Sequence, residues 1–426
     1  NDARVQYLDF YSYFKDVLAG KNSITYTFTK TLGGSAIAIF SYYLSSPFTL
    51  LLLLFPAESF HVYFNLVVAL KLSLAAFTFC WFLTGRFREQ LGETPGYFQK
   101  STLIILSLGY SFSQYSIGQS SNIMWLDGVY LLPLILLGVH TVVRNGHLWK
   151  LTIPVALSIL FNWYTGGINC LFSGVWMLFE LCLIYPEYAA GYQKPFRRCL
   201  RTFGRYILAM ICGVLCSCCL FLPTVFAMRN SNRGSLDLTQ LLDFTFNGNP
   251  ASIISNYVVG TNSTYGSVAF FCGTFAFVGV IALFLSSWKK RYDKKVYACL
   301  GILTILLFYW NPFYAMFSLL KSVYSFWCRY SYVGIIVILF FAARFYLEIA
   351  EQQKPWFVPA CSLVFAGALF TLKHISPVED LRCTYITIGF LLLWTVLLAA
   401  FFYFRAHSHR LFSIGALLCA SVILVG

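Results

Sequence analysis

The stretch VYFNLVVALKLSLAAFTFCWFLT, residues 62–84, decides the fold of this chain. Lys71 is its one charged residue, and nearly all of the other positions are apolar or aromatic. A helix needs about 20 mostly apolar residues to cross the roughly 30 Å hydrocarbon core of a bilayer. The stretch therefore predicts a membrane-spanning helix that carries an ionisable residue inside it.

The rest of the chain repeats this pattern. Of its 426 residues 59% are hydrophobic and 11% are charged, and the mean hydropathy is +0.71. Continuous apolar runs of this kind are typical of transmembrane helices. They predict an all-α polytopic membrane protein with about twelve spans, near residues 62–84, 100–118, 128–143, 151–164, 168–185, 205–227, 266–288, 297–314, 331–350, 356–373, 384–404 and 411–426.

The net charge of +14 indicates orientation and gives no support to nucleic-acid binding. Lys and Arg lie in short clusters between the apolar runs, and one set of alternate loops and flanks holds 19 of them against six in the other set. By the positive-inside rule the richer set is cytoplasmic. The external loops then lie near 113–127, 228–265, 311–330 and 373–383. Residues 62–426 form the transmembrane domain, and residues 1–61 precede it.

The side on which the opening residues lie is left open by charge. Residues 1–30 hold three aspartates and four basic residues. If residues 35–55 cross the membrane, the opening is cytoplasmic, and charge mildly favours this arrangement. Ser45, Ser46 and Pro47 interrupt that run, however, which favours two short helices at the surface.

Three ionisable residues stand out because of their depth. A lysine such as Lys71 inside a span costs several kcal/mol of free energy unless it is paired or faces a water-filled cavity. Lys71 is therefore either a functional residue or a partner for a neighbouring helix. Arg329 stands where an external loop enters a span, where it binds a phosphate or anchors to lipid. Asp127 stands at an external helix start, where it caps the helix dipole or takes part in catalysis.

Seven short motifs occur in a specific order along the chain. They are DARVQY (2–7), LGGSAIAIFSYYLSSPF (32–48), LFP (54–56), LVVALKLSLAAF (66–77), SSNIMWLDGVYLLPLILLG (120–138), ILFNWYTGG (159–167) and FWCRYSYV (326–333). In this order they resemble the bacterial YfhO-type membrane proteins, which have a GT-C glycosyltransferase architecture. The resemblance implies that this chain is a fragment lacking the first span and the C-terminal part. It also implies that residues 1–61 form the first external loop, with helices along the membrane surface.

The resemblance further implies an activity. Enzymes of this architecture use a sugar on a polyprenyl phosphate, and the family is linked to cell-envelope polymers such as teichoic and lipoteichoic acid. The active site is then on the extracytoplasmic side of the cell membrane, and Asp2 matches the family's acidic position. An inverting transfer needs a base, for which Asp2 and Asp9 are candidates. It also needs positive charge on the leaving phosphate, from Lys71 and Arg329 or from a divalent cation such as Mg or Mn. The matching motifs supply five further substrate-binding candidates, Asn122, Trp125, Asp127, Asn162 and Tyr164.

Two other classes of protein fit the same residues. A transporter or flippase for lipid-linked sugars or envelope polymers would use Lys71 and the external aromatic surface as a pathway. In a non-catalytic subunit for envelope assembly, the acidic residues of the opening segment would have no catalytic role.

Overall fold

The computed structural model describes residues 6–28, 33–229, 238–287, 291–320, 327–354, 356–375 and 381–405. Within these ranges the chain is almost entirely helical, and one small hairpin pairs β1 (Tyr26–Thr27) with β2 (Gly34–Ser35) in antiparallel fashion. The α-helices are α1 Leu8–Leu18, α2 Ile37–Ile39, α3 Phe60–Arg86, α4 Arg88–Leu91, α5 Tyr97–Ser111, α6 Gln114–Gly118, α7 Leu126–Asn145, α8 Trp149–Phe161, α9 Trp163–Gly191, α10 Pro195–Arg229, α11 Ser252–Ser255, α12 Thr274–Leu285, α13 Arg291–Tyr309, α14 Asn311–Phe317, α15 Ser331–Arg344, α16 Phe357–Leu372 and α17 Leu381–Arg405.

Shorter helical pieces join or extend these elements. A π-helix, Phe40–Leu44, continues α2, and another, Phe345–Ile349, continues α15. The 3-10 helices are Pro47–Leu54, Ala57–Ser59, Leu238–Leu242 and Ala350–Gln352.

The chain forms two compact units. The first comprises Asn1–Thr78, Gln119–Leu238 and Leu319–Lys321, and the second comprises Phe79–Gly118, Thr239–Ser318 and Ser322–Gly426. Among the predicted site residues that the structure describes, Arg329 belongs to the second unit and the others belong to the first.

The prediction of a polytopic helical membrane protein is confirmed. Five helices of the described residues are long and apolar enough to cross a bilayer. They are Ala57–Arg86, Leu126–Asn145, Trp163–Gly191, Pro195–Arg229 and Ser331–Ile349. A sixth span results if Ile37–Leu44 and Pro47–Leu54, which meet at 87°, are counted as one bent segment.

The predicted number of twelve spans is not confirmed. Four of the predicted spans are shorter apolar helices, Trp149–Phe161, Thr274–Leu285, Phe357–Leu372 and Leu381–Leu397. A helix of 13 residues, such as α8, is about 20 Å long and falls short of the roughly 30 Å core. The predicted span 100–118 is divided between α5 and α6, because the chain leaves the helix at Phe112 and Ser113. The predicted span 411–426 lies outside the described residues.

The helices of the first unit pack closely where glycine and small polar residues meet. A Cβ on Gly128 of α7 would lie 2.4 Å from the Cβ of Thr165, and one on Gly166 of α9 would lie 2.7 Å from the carbonyl oxygen of Ser158. The Asn169 amide donates to the Gly128 carbonyl at 3.0 Å and to the Ser158 hydroxyl at 3.1 Å. Small residues at helix crossings and hydrogen bonds between helices are the usual means of association in membranes.

Candidate functional site

Lys71 of α3 and Asp127 of α7 form a buried ion pair. Nζ of Lys71 lies 2.7 Å from Oδ2 of Asp127, and the two side chains are 3% and 1% exposed. The same ammonium group donates to the carbonyl oxygen of Ile123 at 3.0 Å. The sequence analysis singles out each of these residues by its depth in the membrane but does not predict that they contact each other. The structure brings them together.

The second oxygen of the Asp127 carboxylate is also engaged. Oδ1 accepts hydrogen bonds from the hydroxyl of Ser46 at 2.9 Å and from the hydroxyl of Tyr130 at 2.7 Å. Asp127 also lies in the first turn of α7, where a negative charge favours the helix dipole. The carboxylate is thus compensated by one cation, two hydroxyl donors and a helix terminus.

Ser46 stands at the bend between the arms Ile37–Leu44 and Pro47–Leu54, which we call the bent pair. The bend follows from local chemistry, because Pro47 lacks an N–H and the residue before a proline is pushed out of the helical region. Ser46 has an extended backbone, with φ −66° and ψ 137°. The interruption predicted from Ser45, Ser46 and Pro47 is therefore present.

Three further polar contacts hold the bend in place. Nε1 of Trp125 donates to the hydroxyl of Tyr42 at 2.8 Å, and Nδ2 of Asn162 donates to the Tyr42 carbonyl at 2.9 Å. The hydroxyl of Ser45 donates to the carbonyl oxygen of Phe161 at 2.9 Å. The residues before α7 and the connection between α8 and α9 thereby fix residues 42–46.

Asn162 is also the N-cap residue of α9. Its Oδ1 accepts a hydrogen bond from the backbone N–H of Thr165 at 2.8 Å, which satisfies one of the N–H groups that a helix start leaves without a partner. Tyr164 follows it, and its ring centroid lies 6.3 Å from that of Tyr42 and 6.4 Å from that of Trp125.

The five predicted substrate-binding residues therefore lie in one region of the first unit, but all of them are buried. Their exposed fractions are between 0% and 4%, and each of them contacts another part of the unit. Sequence reasoning missed Ser46, Tyr42 and Tyr130, which complete the network. A signal existed for two of them, since Tyr130 stands three residues after Asp127 on a helix and Ser46 precedes the proline.

Helix α1 docks onto the same region through one face. The hydroxyl of Tyr7 donates to Oδ1 of Asn122 at 2.8 Å, the rings of Tyr11 and Tyr63 meet edge to face at 5.2 Å, and Nζ of Lys15 donates to the Phe55 carbonyl at 2.6 Å. Burial raises the pKa of the Tyr11 hydroxyl well above its usual value, so this ring stays neutral.

The two predicted catalytic carboxylates differ in what the structure describes. Asp9 is exposed in the first turn of α1. It lies two residues from both Tyr7 and Tyr11, which places it on the side of α1 opposite the docked face. Asp2 lies outside the described residues.

Arg329 lies in the second unit, at the turn that leads into α15. Its backbone carbonyl accepts a hydrogen bond from the hydroxyl of Tyr115 at 2.7 Å, and its side chain is half-buried. The two predicted phosphate-binding cations thus belong to different units.

The described residues contain no group of three or more His, Cys, Asp or Glu side chains that could hold a metal ion. Both oxygens of Asp127 already accept hydrogen bonds, and Asp9 is an exposed carboxylate outside any such group. The divalent cation considered from the resemblance therefore has no ligand set in this part of the chain.

Fold and site together define a polytopic α-helical membrane protein with a buried Lys–Asp pair at the bend of a broken helix. The chain matches the family of the bacterial membrane protein YfhO over residues 1–426, its whole length, and it belongs to that family. The resemblance carried by the ordered motifs is confirmed. No curated protein and no solved structure matches the chain.

Proposed function

We propose that the protein is a membrane glycosyltransferase of GT-C-like architecture. It transfers a sugar from a polyprenyl-phosphate donor to a cell-envelope polymer, such as teichoic or lipoteichoic acid, on the extracytoplasmic face. One observation carries this proposal: residues 122–127 contact both the acidic opening segment, through Tyr7, and the buried cation, Lys71. A candidate base and a candidate phosphate-binding group are thereby tied to one short stretch.

The chemistry follows from an inverting displacement. The acceptor hydroxyl oxygen attacks the anomeric carbon, its proton passes to a carboxylate, and the bond from that carbon to the phosphate oxygen breaks with its electron pair leaving on the polyprenyl phosphate. Asp2 or Asp9 is the base in this scheme. Asp9 is exposed on the undocked side of α1, so the proposal prefers Asp2 as the base.

The departing phosphate needs positive charge. An ammonium group has three N–H donors, and the two hydrogen bonds of Lys71 use two of them. In this proposal a phosphate oxygen takes the third, and Asp127 holds the ammonium group in place. Arg329, the other cation expected from the sequence, belongs to the second unit, so the proposal assigns the departing phosphate to Lys71.

A transporter of lipid-linked sugars is the second candidate, and the bent pair favours it. Broken helices that meet near a binding site are a common feature of secondary transporters. In that case the bend at residues 42–46 would line a pathway, and no sugar would change its covalent partner.

A reconstituted transfer assay separates the candidates. The full chain is placed in liposomes with polyprenyl-phosphate hexoses or N-acetylhexosamines labelled in the sugar, and with teichoic acid as acceptor. The enzyme is supported by label that becomes attached to the polymer with inverted anomeric configuration. Movement of the intact donor between leaflets without attachment supports the transporter, and the absence of both supports an assembly subunit.

A further inference from the structure

Helix α10 carries a line of exposed residues whose chemistry changes along its length. Arg197, Arg201 and Arg205 are exposed and follow one another at intervals of four residues. Farther along the helix the exposed residues on the same side are aliphatic or aromatic, namely Leu208, Leu215, Leu222 and Phe226. At 100° per residue these seven positions fall within about 100° of the helix circumference.

The opposite side of α10 is the packed one. Its buried residues are small or polar: Thr202, Tyr206, Ala209, Gly213, Ser217 and Thr224. The Tyr206 hydroxyl makes a 2.8 Å hydrogen bond with the hydroxyl of Ser173 on α9. The exposed line is therefore held at a fixed rotation by packing on its other side.

The length of α10 places the arginines outside the hydrocarbon core. Its 35 residues span about 52 Å, whereas the core is about 30 Å thick. With Leu208 to Phe226 inside the core, residues 197–205 reach the headgroup layer. No acidic residue occurs between Tyr188 and Arg229, so their charge is not cancelled by neighbours in the sequence.

One of the three arginines is held at a second helix. A Cβ added to Gly146 would lie 2.7 Å from Nη1 of Arg205, so the guanidinium lies against this glycine. Gly146 is the left-handed C-cap of α7, with φ +73°, and a helix C-terminus attracts cations. Arg205 is thereby fixed near the level at which α7 ends.

We infer that this line of α10 binds an anionic glycerophospholipid in the leaflet at which the helix begins. The arginines contact the headgroup phosphate, and Leu208 and Leu215 contact the acyl chains. A free anion would use only the first part of the line and a neutral lipid only the second, whereas an anionic lipid uses both. This binding is independent of the proposed sugar transfer.

The test is native mass spectrometry of the full chain in detergent, titrated with phosphatidylglycerol or with phosphatidylcholine. The variant is Arg197→Gln/Arg201→Gln/Arg205→Gln. The matched control, Arg88→Gln/Arg291→Gln/Lys295→Gln, removes three exposed charges elsewhere. If each arginine of the line contributes about fivefold to binding, the variant should bind phosphatidylglycerol about 100-fold more weakly. The control, whose three basic residues lie outside this line, should lose markedly less.

Three outcomes would overturn the inference: equal binding of the two lipids by the unaltered protein, equal losses in the variant and the control, or displacement of phosphatidylglycerol by millimolar inorganic phosphate. If the variant does not fold, the unaltered protein still decides the matter. Its preference for phosphatidylglycerol should fall steeply as salt rises, because the contact is electrostatic. A preference unchanged by salt would contradict the inference.

Discussion

Nζ of Lys71 lies 2.7 Å from Oδ2 of Asp127, although 56 residues separate the two in the chain. The pair joins the middle of α3 to the first turn of α7, and Ser46 adds the bend of the bent pair to the same carboxylate. Three elements of the first unit are thus linked at one buried charge. The loss of either partner leaves the other buried charge without its counter-ion.

The ion pair predicts a rescue pattern. Lys71→Met and Asp127→Asn should each lower the free energy of unfolding by about 3–5 kcal/mol, because each leaves a buried charge or its donors without a partner. The double variant should be more stable than either single variant, since it buries no charge. Unfolding in a fixed detergent measures all four proteins, and purely additive losses would contradict the pairing.

The same variants separate stability from donor binding. If Lys71 binds the donor phosphate, the double variant regains stability and keeps a raised KM for the lipid donor, with the KM for the acceptor unchanged. If the double variant recovers both its stability and the donor KM of the unaltered protein, Lys71 has a structural role and does not bind the donor.

Asn162 predicts a graded series. Asn162→Ser keeps an oxygen that can cap α9 but loses the amide that holds the Tyr42 carbonyl, whereas Asn162→Ala loses both contacts. A lost helix cap costs about 1 kcal/mol, and a buried polar group left unsatisfied costs about 1–3 kcal/mol. Melting temperatures should therefore fall in the order Asn, Ser, Ala. Equal stability of the Ser and Ala variants would argue against the capping role.

Two glycines of α9 form a matched pair. Gly166→Ala should destabilise the protein, because the added Cβ would lie 2.7 Å from the backbone carbonyl oxygen of Ser158. A Cβ added at Gly174 would lie 3.7 Å from its nearest neighbour, the Tyr206 hydroxyl oxygen, which is an ordinary contact distance. Gly174→Ala should be neutral or stabilising by up to about 1 kcal/mol, the difference in helix propensity. The thermal unfolding of both variants in one detergent tests this, and a tolerated Gly166→Ala would show that α8 and α9 do not pack so closely.

The sequence predicts individual helices and helix breaks well, but it does not predict which residues of different elements contact one another. The span at residues 62–84, the interruption at residues 45–47 and the helix start at Asp127 all follow from local composition, and the structure has each of them. The link from Lys71 to Asp127 and Ser46 could not be predicted, because it depends on how distant segments pack. The predicted number of twelve spans is not confirmed for a related reason, since an apolar window does not show where a helix breaks, as at Phe112 and Ser113.

The proposed extracytoplasmic position of the opening segment gives a labelling prediction. In a cysteine-free background, Asn22→Cys lies in the exposed turn after α1, and Gln193→Cys lies in the exposed connection between α9 and α10. A membrane-impermeant maleimide should label position 22 in intact protoplasts and position 193 only after permeabilisation. The reverse pattern would place the proposed base on the cytoplasmic side.

The initial rate of sugar transfer in the Asp2→Asn variant tests the central proposal most directly. Asp16→Asn is the matched control, because it removes an acidic residue from the same opening segment at a position with no proposed role. The proposal predicts that Asp2→Asn loses transfer by at least about 100-fold, as expected for a general base, while abundance and melting temperature stay unchanged. Asp16→Asn should retain the full rate. Transfer by Asp2→Asn at the rate of the unaltered protein would contradict the assignment of this carboxylate as the base.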